Sequence, residues 1–330
     1  MNNKEAIVFL GEKEGARLRI GHSVDDINTK LPYFRIDKNA EGTYTFEGFN
    51  YQKHDNADRM PFILNYLKQY VVPYISAEAN IKGYYNLELH DSNSYLDGSS
   101  TDYTNTLVWS RNKSDRRPIL LPDVYQLTNY GNKLNAKDTV EWYAKQNLIA
   151  FYGTTTGSRD PSQNARLQWC KWKAANDPYD KTCHWYITNV AQMQVEDIVK
   201  TYSLPVWQNM SKPYVPHTHL YNYKFNLDIP GNTASWDRVP VVLNSKSLLF
   251  KAPCQDMCFY YPLMHTGEHY IHVDTPEDAL KQQQYFLSNM RDYSRINANA
   301  NNFVQDFMTP HAAIRYMVAL FETSSYFSSR

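Results

Sequence analysis

The sequence predicts an α/β protein whose second half forms a mostly parallel, doubly wound sheet. Strand-like and helix-like segments alternate from residue 148 to residue 273, which is the rhythm of βαβ units. The length of 330 residues suits two domains of roughly 150 residues each. The chain is 42% hydrophobic and 21% charged, as is typical of globular proteins.

The first half is expected to mix short strands with one amphipathic helix over residues 60–72. The apolar side chains of this helix share a face at helical spacing: Phe62, Ile63, Tyr66, Leu67 and Tyr70. Strand-like stretches cover residues 84–89 and 105–109. The first of them runs directly into His90 and Asp91.

The second half carries the alternating pattern. Strands are predicted at residues 148–152, 184–190, 224–229, 247–251 and 269–273, and helices at 163–175, 195–202 and 236–244. Thr275 followed by Pro276 predicts a further helix start, because a threonine cap and a proline at the first helical position favour one. A last helix is predicted over residues 310–322.

Composition excludes several classes of protein. Lys+Arg and Asp+Glu balance at 34 each, which argues against a nucleic-acid binder that relies on a basic surface. No apolar run is long enough to span a membrane, and the beginning of the chain does not read as a signal peptide, so we expect a cytoplasmic protein. The four cysteines are expected to be free thiols. The 27 tyrosines and 7 tryptophans either fill cores or stack on sugars.

The stretch LIAFYGTTTGSRDP, residues 148–161, predicts a loop at the carboxyl edge of the sheet. An apolar strand stops at Gly153 and is followed by threonines, a second glycine and a polar turn. The loop has neither the lysine of a Walker phosphate loop nor the glycine spacing of a dinucleotide fingerprint.

Three stretches in this order resemble one family: FYGTTTGSRDPSQNARL, YKFNLDIPGNTASWDRVPVVLNSKSLLFK and FYYPLMHTGEHYIHVD. They are similar to glycosyltransferase family 90, the protein O-glucosyltransferase, capsule-associated and lipopolysaccharide-modifying group, over about residues 145–275. The resemblance implies a GT-B-type fold with two Rossmann-like domains facing a cleft. We expect an acceptor-side domain at 1–145, a nucleotide-sugar-binding domain at 146–305 and a C-terminal helix at 306–330, packed back on the first domain.

The resemblance also implies an activity, namely transfer of one glucose, xylose or galactose from a UDP-sugar, with inversion and without a metal or other cofactor. The acceptor would be a hydroxyl of a glycan or glycoprotein, in the synthesis of capsule, lipopolysaccharide or virion glycans. Such an enzyme has no nucleic-acid partner and no transmembrane segment, and peripheral association with a membrane is compatible with it. The alternatives are a carbohydrate-binding or scaffold protein with a decayed transferase fold, and another nucleotide-sugar-processing enzyme.

Asp91 is the candidate catalytic residue. An inverting transferase needs a base that takes the proton of the acceptor hydroxyl, and a carboxylate at a strand end suits this role. The resemblance places the family's aspartate soon after a strand of the N-terminal domain, where Asp91 stands in NLELHD. The alternative is a solvated turn aspartate, because the polar residues that follow Asp91 are turn-forming themselves.

The glycine–threonine loop is the candidate site for the donor phosphates. Gly153 and Gly157 would let the backbone approach them, and Thr155 and Thr156 would supply hydroxyl groups. An arginine is expected to face the same phosphates. The resemblance leaves two choices for it, Arg166 and Arg159.

The segment after the strand at 224–229 supplies the remaining candidates. Asp228 is expected to organise a loop near the donor, or else to be a plain turn residue. Ser235 and Arg238 are a second candidate phosphate-binding pair, although their spacing is one residue longer than in relatives. Cys258 stands where relatives carry a glutamate, and Asp256 is the residue that could compensate.

Overall fold

The computed structural model describes residues 3–91, 104–130 and 132–328. The chain divides into two compact units, each of which is described by itself. The first unit comprises Met1–Gly131, Asp256–Tyr261 and Asp306–Arg330, and the second comprises Asn132–Gln255 and Pro262–Gln305. The α/β class predicted from the sequence is confirmed.

The first unit contains a five-stranded mixed sheet in the order β2-β1-β3-β4-β6. Its strands, with two short additional ones, are β1 (Tyr33–Lys38), β2 (Tyr44–Phe49), β3 (Gly83–Leu87), β4 (Thr106–Val108), β5 (Arg111–Asn112), β6 (Ile119–Leu120) and β11 (Asp256–Met257). Strand β1 pairs antiparallel with β2 and β3, whereas β3, β4 and β6 are parallel to one another. The carboxyl end of β3 therefore belongs to the parallel part of this sheet.

The α-helices in the described part of this unit are α1 (Asn3–Gly15), α2 (Arg59–Tyr66), α3 (Val124–Leu127) and α10 (Pro310–Ser328). Helix α2 is shorter than predicted and continues as a π-helical turn over Leu67–Val71. Helices α1 and α10 pack along each other. The buried carboxylate of Glu14 on α1 accepts two hydrogen bonds from Arg111, at 2.8 and 2.9 Å, which ties α1 to β5.

The second unit is built on a five-stranded sheet in which all neighbouring strands are parallel. Its strands are β7 (Gln146–Thr154), β8 (Cys183–Asn189), β9 (Tyr223–Asp228), β10 (Leu248–Lys251) and β12 (Ile271–His272). The strand order is β12-β10-β9-β7-β8. Strands β9 and β10 are buried along almost their whole length, as expected of a sheet that is covered on both faces.

The helices of the second unit are α4 (Ala165–Asn176), α5 (Val195–Tyr202), α6 (Leu204–Met210), α7 (Arg238–Leu243), α8 (Pro276–Ser288) and α9 (Met290–Phe307). Helix α8 begins as predicted, because the Thr275 hydroxyl accepts the backbone N–H of Asp278 at 3.2 Å. The core between sheet and helices includes Phe151, Trp185, Phe225 and Phe250. Within the described residues, no helix combines the length and the apolar character that a bilayer span requires.

Candidate functional site

The strand order of the second unit places its candidate site. Counted along the chain, β7, β8, β9, β10 and β12 lie in the spatial order 2-1-3-4-5. The chain thus moves from β7 to β8 on one side of β7 and then returns to β9 on the other side. The crevice between the ends of β7 and β9 is therefore the topological switch point, where doubly wound sheets bind ligands. The loop after β7, residues 155–163, and the loop after β9, residues 229–236, meet at this edge.

Asn164 organises the loop after β7. Its side-chain oxygen caps α4 by accepting the N–H of Leu167 at 3.1 Å, and its amide nitrogen donates to the carbonyl oxygens of Thr155 and Ser158, both at 2.9 Å. Gly157 has a φ of +122°, a conformation that side chains rarely adopt. The backbone N–H of Gly157 donates to the side-chain oxygen of Asn232 at 3.0 Å, which joins this loop to the loop after β9.

Arg166 lies beneath the two loops, and only 8% of the residue is exposed. Its guanidinium group donates to the carbonyl oxygen of Ile229 at 3.1 Å, to the carbonyl oxygen of Thr154 at 3.0 Å and to the hydroxyl of Thr156 at 2.6 Å. The group therefore contacts both loops of the switch point.

Arg238 is the first residue of α7 and reaches the same strand ends. It donates to the carbonyl oxygens of Tyr152 at 2.6 Å and Leu227 at 3.3 Å. Its guanidinium carbon lies 4.4 Å from the centre of the Phe151 ring, within the range of a cation–π contact. The extra residue between Ser235 and Arg238 thus does not turn Arg238 away from the sheet, because the helix starts at Arg238 itself.

Asp228 is the last residue of β9 and is fully buried. Its carboxylate accepts from the Lys251 ammonium group, at the end of β10, at 2.7 Å. Burial alone would raise the pKa of Asp228, but the positive charges of Lys251 and Arg238 hold it below its ordinary value. The half-buried Ser235 contributes to the same lowering of the Asp228 pKa.

The charges at this edge do not balance. Lys251 pairs with Asp228, and Lys133 pairs with Asp237. The hydrogen bonds of Arg166 and Arg238 described above all go to neutral oxygens. Burial and the neighbouring positive charge of Arg238 lower the pKa of Arg166 to about 10, so that Arg166 remains a cation at neutral pH. In the part of the chain that the structure describes, the switch point therefore has an excess of positive charge that an anion would neutralise.

The structure separates the sequence candidates of this loop into two groups. Arg166, Thr156 and Gly157 lie together at the switch point. Arg159 is solvent-exposed on the outer turn of the loop, so Arg166 is the arginine that points inward.

The interpretation of Thr155 and Gly153 changes with the structure. The Thr155 side chain is fully buried. Its hydroxyl donates to the carbonyl oxygen of Ala191 and accepts the backbone N–H of the same residue, each at 2.8 Å. The Thr155 hydroxyl therefore stabilises the loop that follows β8 and does not face a ligand. Gly153 lies within β7, where an added Cβ would approach the Phe151 ring to 2.6 Å, so it is required for packing.

Asp91 lies four residues after β3 in the first unit, with 30% of its side chain exposed. Its carboxylate accepts a hydrogen bond from Arg59, the first residue of α2, at 2.9 Å. A second nitrogen of Arg59 donates to the carbonyl oxygen of Leu89 at 2.6 Å. The arginine therefore fixes both the Asp91 side chain and the strand end that carries it.

Glu88, His90 and His54 form a cluster next to Asp91. The buried Glu88 carboxylate accepts the backbone N–H of His90 at 2.8 Å and lies 2.7 Å from His90 Nδ1. His54 Nε2 lies 3.8 Å from the same carboxylate oxygen. Burial opposes ionisation of Glu88, but the hydrogen bonds from His54 and His90 outweigh it and lower the pKa of Glu88 to about 2. The hydrogen bond to Glu88 in turn raises the pKa of His90.

Two imidazoles and a carboxylate are also ligands that zinc accepts, and the three ligating atoms lie within 4.8 Å of one another. However, the N–H of Asn56 donates to His54 Nδ1 at 3.1 Å and His54 Nε2 lies 3.2 Å from His90 Nδ1, so both ring nitrogens of His54 already have partners within the protein. A histidine that binds a metal through Nε2 carries its proton on Nδ1. As arranged here, the cluster is therefore suited to holding protons rather than a metal ion.

Cys258 and Asp256 both belong to the first unit. Cys258 is buried, and Asp256 pairs with Asn112 of β5 in a two-stranded ladder. The position at which the resemblance predicts a glutamate thus holds a buried thiol in this chain.

Several residues of the two sites were not predicted from the sequence. In the second unit these are Asn164, Gly231, Asn232 and Lys251, and in the first unit they are His54, Arg59 and Glu88. Asn164 directly before a helical pattern is an N-cap signal that could have been recognised. The alternation of Glu88 and His90 at a strand end is a weaker signal, because the partners that define the cluster lie more than 30 residues away.

Comparisons with known proteins identify the family. Three solved structures resemble the chain at low identity. TarM has 9% identity and a TM-score of 0.37, over 54% of this chain and 35% of that one. A glycosyltransferase from Rickettsia africae ESF-5 has 10% identity and a TM-score of 0.36, over 60% of this chain and 52% of that one. The C-terminal domain of LpcC, a glycosyl transferase group 1 family protein from Francisella tularensis, has 8% identity and a TM-score of 0.33, over 56% of this chain and 94% of that one.

The chain thus spans about a third of the length of TarM (35%) and about half of the Rickettsia protein (52%). No curated protein matches the sequence. The assignment instead rests on a family model, glycosyl transferase family 90, which matches residues 124–328. Because this match covers more than half of the 330 residues and includes the switch-point loops, the chain belongs to glycosyl transferase family 90.

Proposed function

We propose that the protein is a glycosyltransferase that moves one sugar from a nucleotide diphosphate sugar to a hydroxyl group of an acceptor. The observation that carries this proposal is the pair Arg166 and Arg238 at the switch point of a parallel sheet. Within the described residues, the nearby carboxylates Asp228 and Asp237 pair with Lys251 and Lys133, and the excess of positive charge that remains suits a diphosphate.

The departing diphosphate needs stabilisation as negative charge develops on its oxygens. Donor groups that are already fixed in place are effective here, because they need no reorganisation during the reaction. Arg166 is fixed by both loops, and Arg238 is fixed by the ends of β7 and β9. We propose that these two guanidinium groups and the backbone around Thr156 and Gly157 receive the diphosphate, without a metal ion.

The acceptor hydroxyl must lose its proton as its oxygen attacks the anomeric carbon. We propose Asp91 as the base, with Arg59 holding its carboxylate in a fixed orientation. A positioned base of this kind typically contributes roughly 10²–10⁴-fold to the rate. A single displacement with such a base inverts the configuration of the anomeric carbon.

Membership of the family supports a proposal for the substrate class. We propose UDP as the carrier and glucose, xylose or galactose as the sugar, with a glycan or glycoprotein as the acceptor in the synthesis of capsule, lipopolysaccharide or virion glycans. Donor specificity within this class depends on a few hydrogen bonds to sugar hydroxyls.

The test is release of UDP from UDP-glucose, UDP-xylose and UDP-galactose in the presence of a panel of glycan acceptors, with and without EDTA. We expect UDP release with one donor, dependent on an acceptor and insensitive to EDTA. No turnover and no thermal shift with any nucleotide sugar, in a folded sample, would support the carbohydrate-binding or scaffold alternative. Turnover that needs no acceptor would instead indicate another nucleotide-sugar-processing enzyme.

A further inference from the structure

The cluster of Glu88, His90 and His54 has no part in the function proposed so far, although it directly precedes Asp91. Glu88 is ionised and can only accept hydrogen bonds, so the 2.7 Å contact with His90 Nδ1 requires a proton on that nitrogen. The neutral His90 ring then has its lone pair on Nε2. This is the tautomer that a carboxylate selects in carboxylate–histidine pairs that accept protons.

His54 supports this arrangement from the other side. The N–H of Asn56 fixes the His54 ring, whose centre lies 4.2 Å from that of His90 in an edge-on contact. His54 Nε2 lies 3.2 Å from His90 Nδ1 and 3.8 Å from the Glu88 carboxylate oxygen, so the ring packs against the contact between Glu88 and His90. The ring N–H and the backbone N–H of His90 thus converge on one buried carboxylate, which prepares it to stabilise an added positive charge on His90.

Asp91 is less suited to keep a proton. Its carboxylate forms an ion pair with Arg59 at 2.9 Å, and protonating the carboxyl group would give up that ion pair. A proton on His90, in contrast, creates a cation beside the ionised Glu88. Among the described residues, Glu88, Asp55 and Asp91 are the charged groups that act on His90, Arg59 pairs with Asp91, and His54 is the titratable neighbour of the ring.

We propose that His90 stores the proton that Asp91 takes from the acceptor, with Glu88 and His54 as the residues that position it. The inference rests on the proposed function. The acceptor O–H bond breaks as the new bond to the anomeric carbon forms, and the proton goes to the Asp91 carboxylate. It then passes to the lone pair on His90 Nε2, which restores the Asp91–Arg59 ion pair, and leaves to solvent through the part-exposed His90.

The test is the pH dependence of kcat/KM for the full chain with its UDP-sugar donor and acceptor. We expect the wild type to gain activity as pH rises through an apparent pKa above the ordinary histidine value of about 6.5. Glu88→Gln keeps a hydrogen-bond acceptor for His90 but removes the charge, so the ascending limb should move to lower pH by about one unit. His90→Gln should lose this limb and lower kcat/KM at pH 7 by about tenfold to a hundredfold.

The matched control is His272→Gln, which removes an exposed histidine that also pairs with a carboxylate, Asp274, at 2.9 Å. Its profile should equal that of the wild type. A direct titration of His90 by NMR in the wild type and in Glu88→Gln measures the same coupling without turnover and reports whether the variant is folded.

The outcomes separate the two proposals. Failure of the wild type to turn over any UDP-sugar would overturn the proposed function and this inference with it. If the wild type turns over its donor but Glu88→Gln does not shift the ascending limb of the pH profile, and the NMR titration shows that the variant is folded, the inference alone would be overturned. If the ascending limb of the pH profile and the His90 titration both shift to lower pH in Glu88→Gln, the result supports the proposed function and the inference.

Discussion

Arg59 donates one hydrogen bond to the carboxylate of Asp91, at 2.9 Å, and another to the carbonyl oxygen of Leu89, at 2.6 Å. These two residues come from the start of a helix and the end of a strand, 32 positions apart in the chain. A solvated turn aspartate would have no such fixed partner. The pairing therefore favours a functional interpretation of Asp91 over the turn interpretation, because it holds a part-exposed carboxylate in one orientation.

Replacing Asp91 by Asn should leave donor binding intact and lower kcat by at least about a hundredfold, since the amide cannot take a proton from the acceptor. Calorimetry tests the first expectation by measuring the UDP-sugar affinity of the variant. UDP release under saturating donor tests the second by measuring kcat. Asp37→Asn is the matched control, because Asp37 also pairs with an arginine of the first unit, Arg35, at 2.8 Å. Near-normal turnover of the Asp91 variant would remove this residue from the role of base.

Replacing Arg166 by Ala should weaken both UDP and UDP-sugar binding by at least about tenfold, because the lost guanidinium would make charge-assisted hydrogen bonds to the diphosphate. Arg166→Lys keeps the charge without the planar fork, and we expect an intermediate loss. The control is Arg159→Ala, which removes an exposed arginine of the same loop and should leave UDP affinity unchanged. If the Arg159 variant were the weaker binder, the assignment of the inward arginine would be wrong.

The parts of the fold that could be predicted are those in which local pattern and final structure agree. Strands β7 to β10 and the Thr275 cap follow from apolar runs and capping chemistry. Helix α1 was not predicted, since Gly11 and Gly15 disfavour a helix. Both glycines face α10, where a Cβ on Gly11 would come within 2.3 Å of the Tyr316 carbonyl oxygen. Contact with a helix 300 residues away therefore overrides local propensity.

The same distinction applies to the candidate site. The glycine–threonine loop was recognisable because its position after an apolar strand is a local property. The role of Thr155 was not, because its hydroxyl bonds to Ala191 on the next strand connection. The choice between Arg159 and Arg166 likewise depended on which side of the loop faces the sheet. Side-chain partners that are distant in the sequence are set by tertiary packing, which a single sequence does not reveal.

Replacing Gly231 by Ala should weaken UDP binding by disturbing the contact between Arg166 and Thr156. A Cβ at this position would lie 2.5 Å from the Thr156 hydroxyl and 2.9 Å from a guanidinium nitrogen of Arg166, so these groups must move. Calorimetry with UDP measures the effect. A crystal structure of the variant would show whether the hydrogen bond of 2.6 Å between Arg166 and Thr156 is lost.

The control for this variant is Gly267→Ala. Gly267 has a φ of +74°, and no atom of the described residues lies within 4 Å of an added Cβ, so alanine there strains the backbone without touching the switch point. We expect a lower melting temperature with unchanged UDP affinity. Equal UDP affinities for the two variants would show that the loop after β9 does not shape the donor site.

Replacing Glu88 by Gln should change how the free energy of unfolding depends on pH. The Glu88 pKa is lowered to about 2 in the folded chain, so its ionisation stabilises the fold above the ordinary glutamate value and this stabilisation is lost as pH falls towards 2. A shift of this size corresponds to at most about 3 kcal/mol near pH 6. The raised pKa of His90 adds stability that is present below the ordinary histidine value and is lost as pH rises through the raised one.

The free energy of unfolding, measured by urea denaturation from pH 3 to pH 9, should therefore differ most between wild type and Glu88→Gln at about pH 5 to 6. The difference should narrow towards both ends of the range, because acid protonates Glu88 and base removes the charge of His90. Glu41→Gln, which changes an exposed glutamate of the same unit, should show no such pH-dependent difference. A constant offset across the whole range would mean that Glu88 stabilises the fold by packing alone, without the charge that couples it to His90.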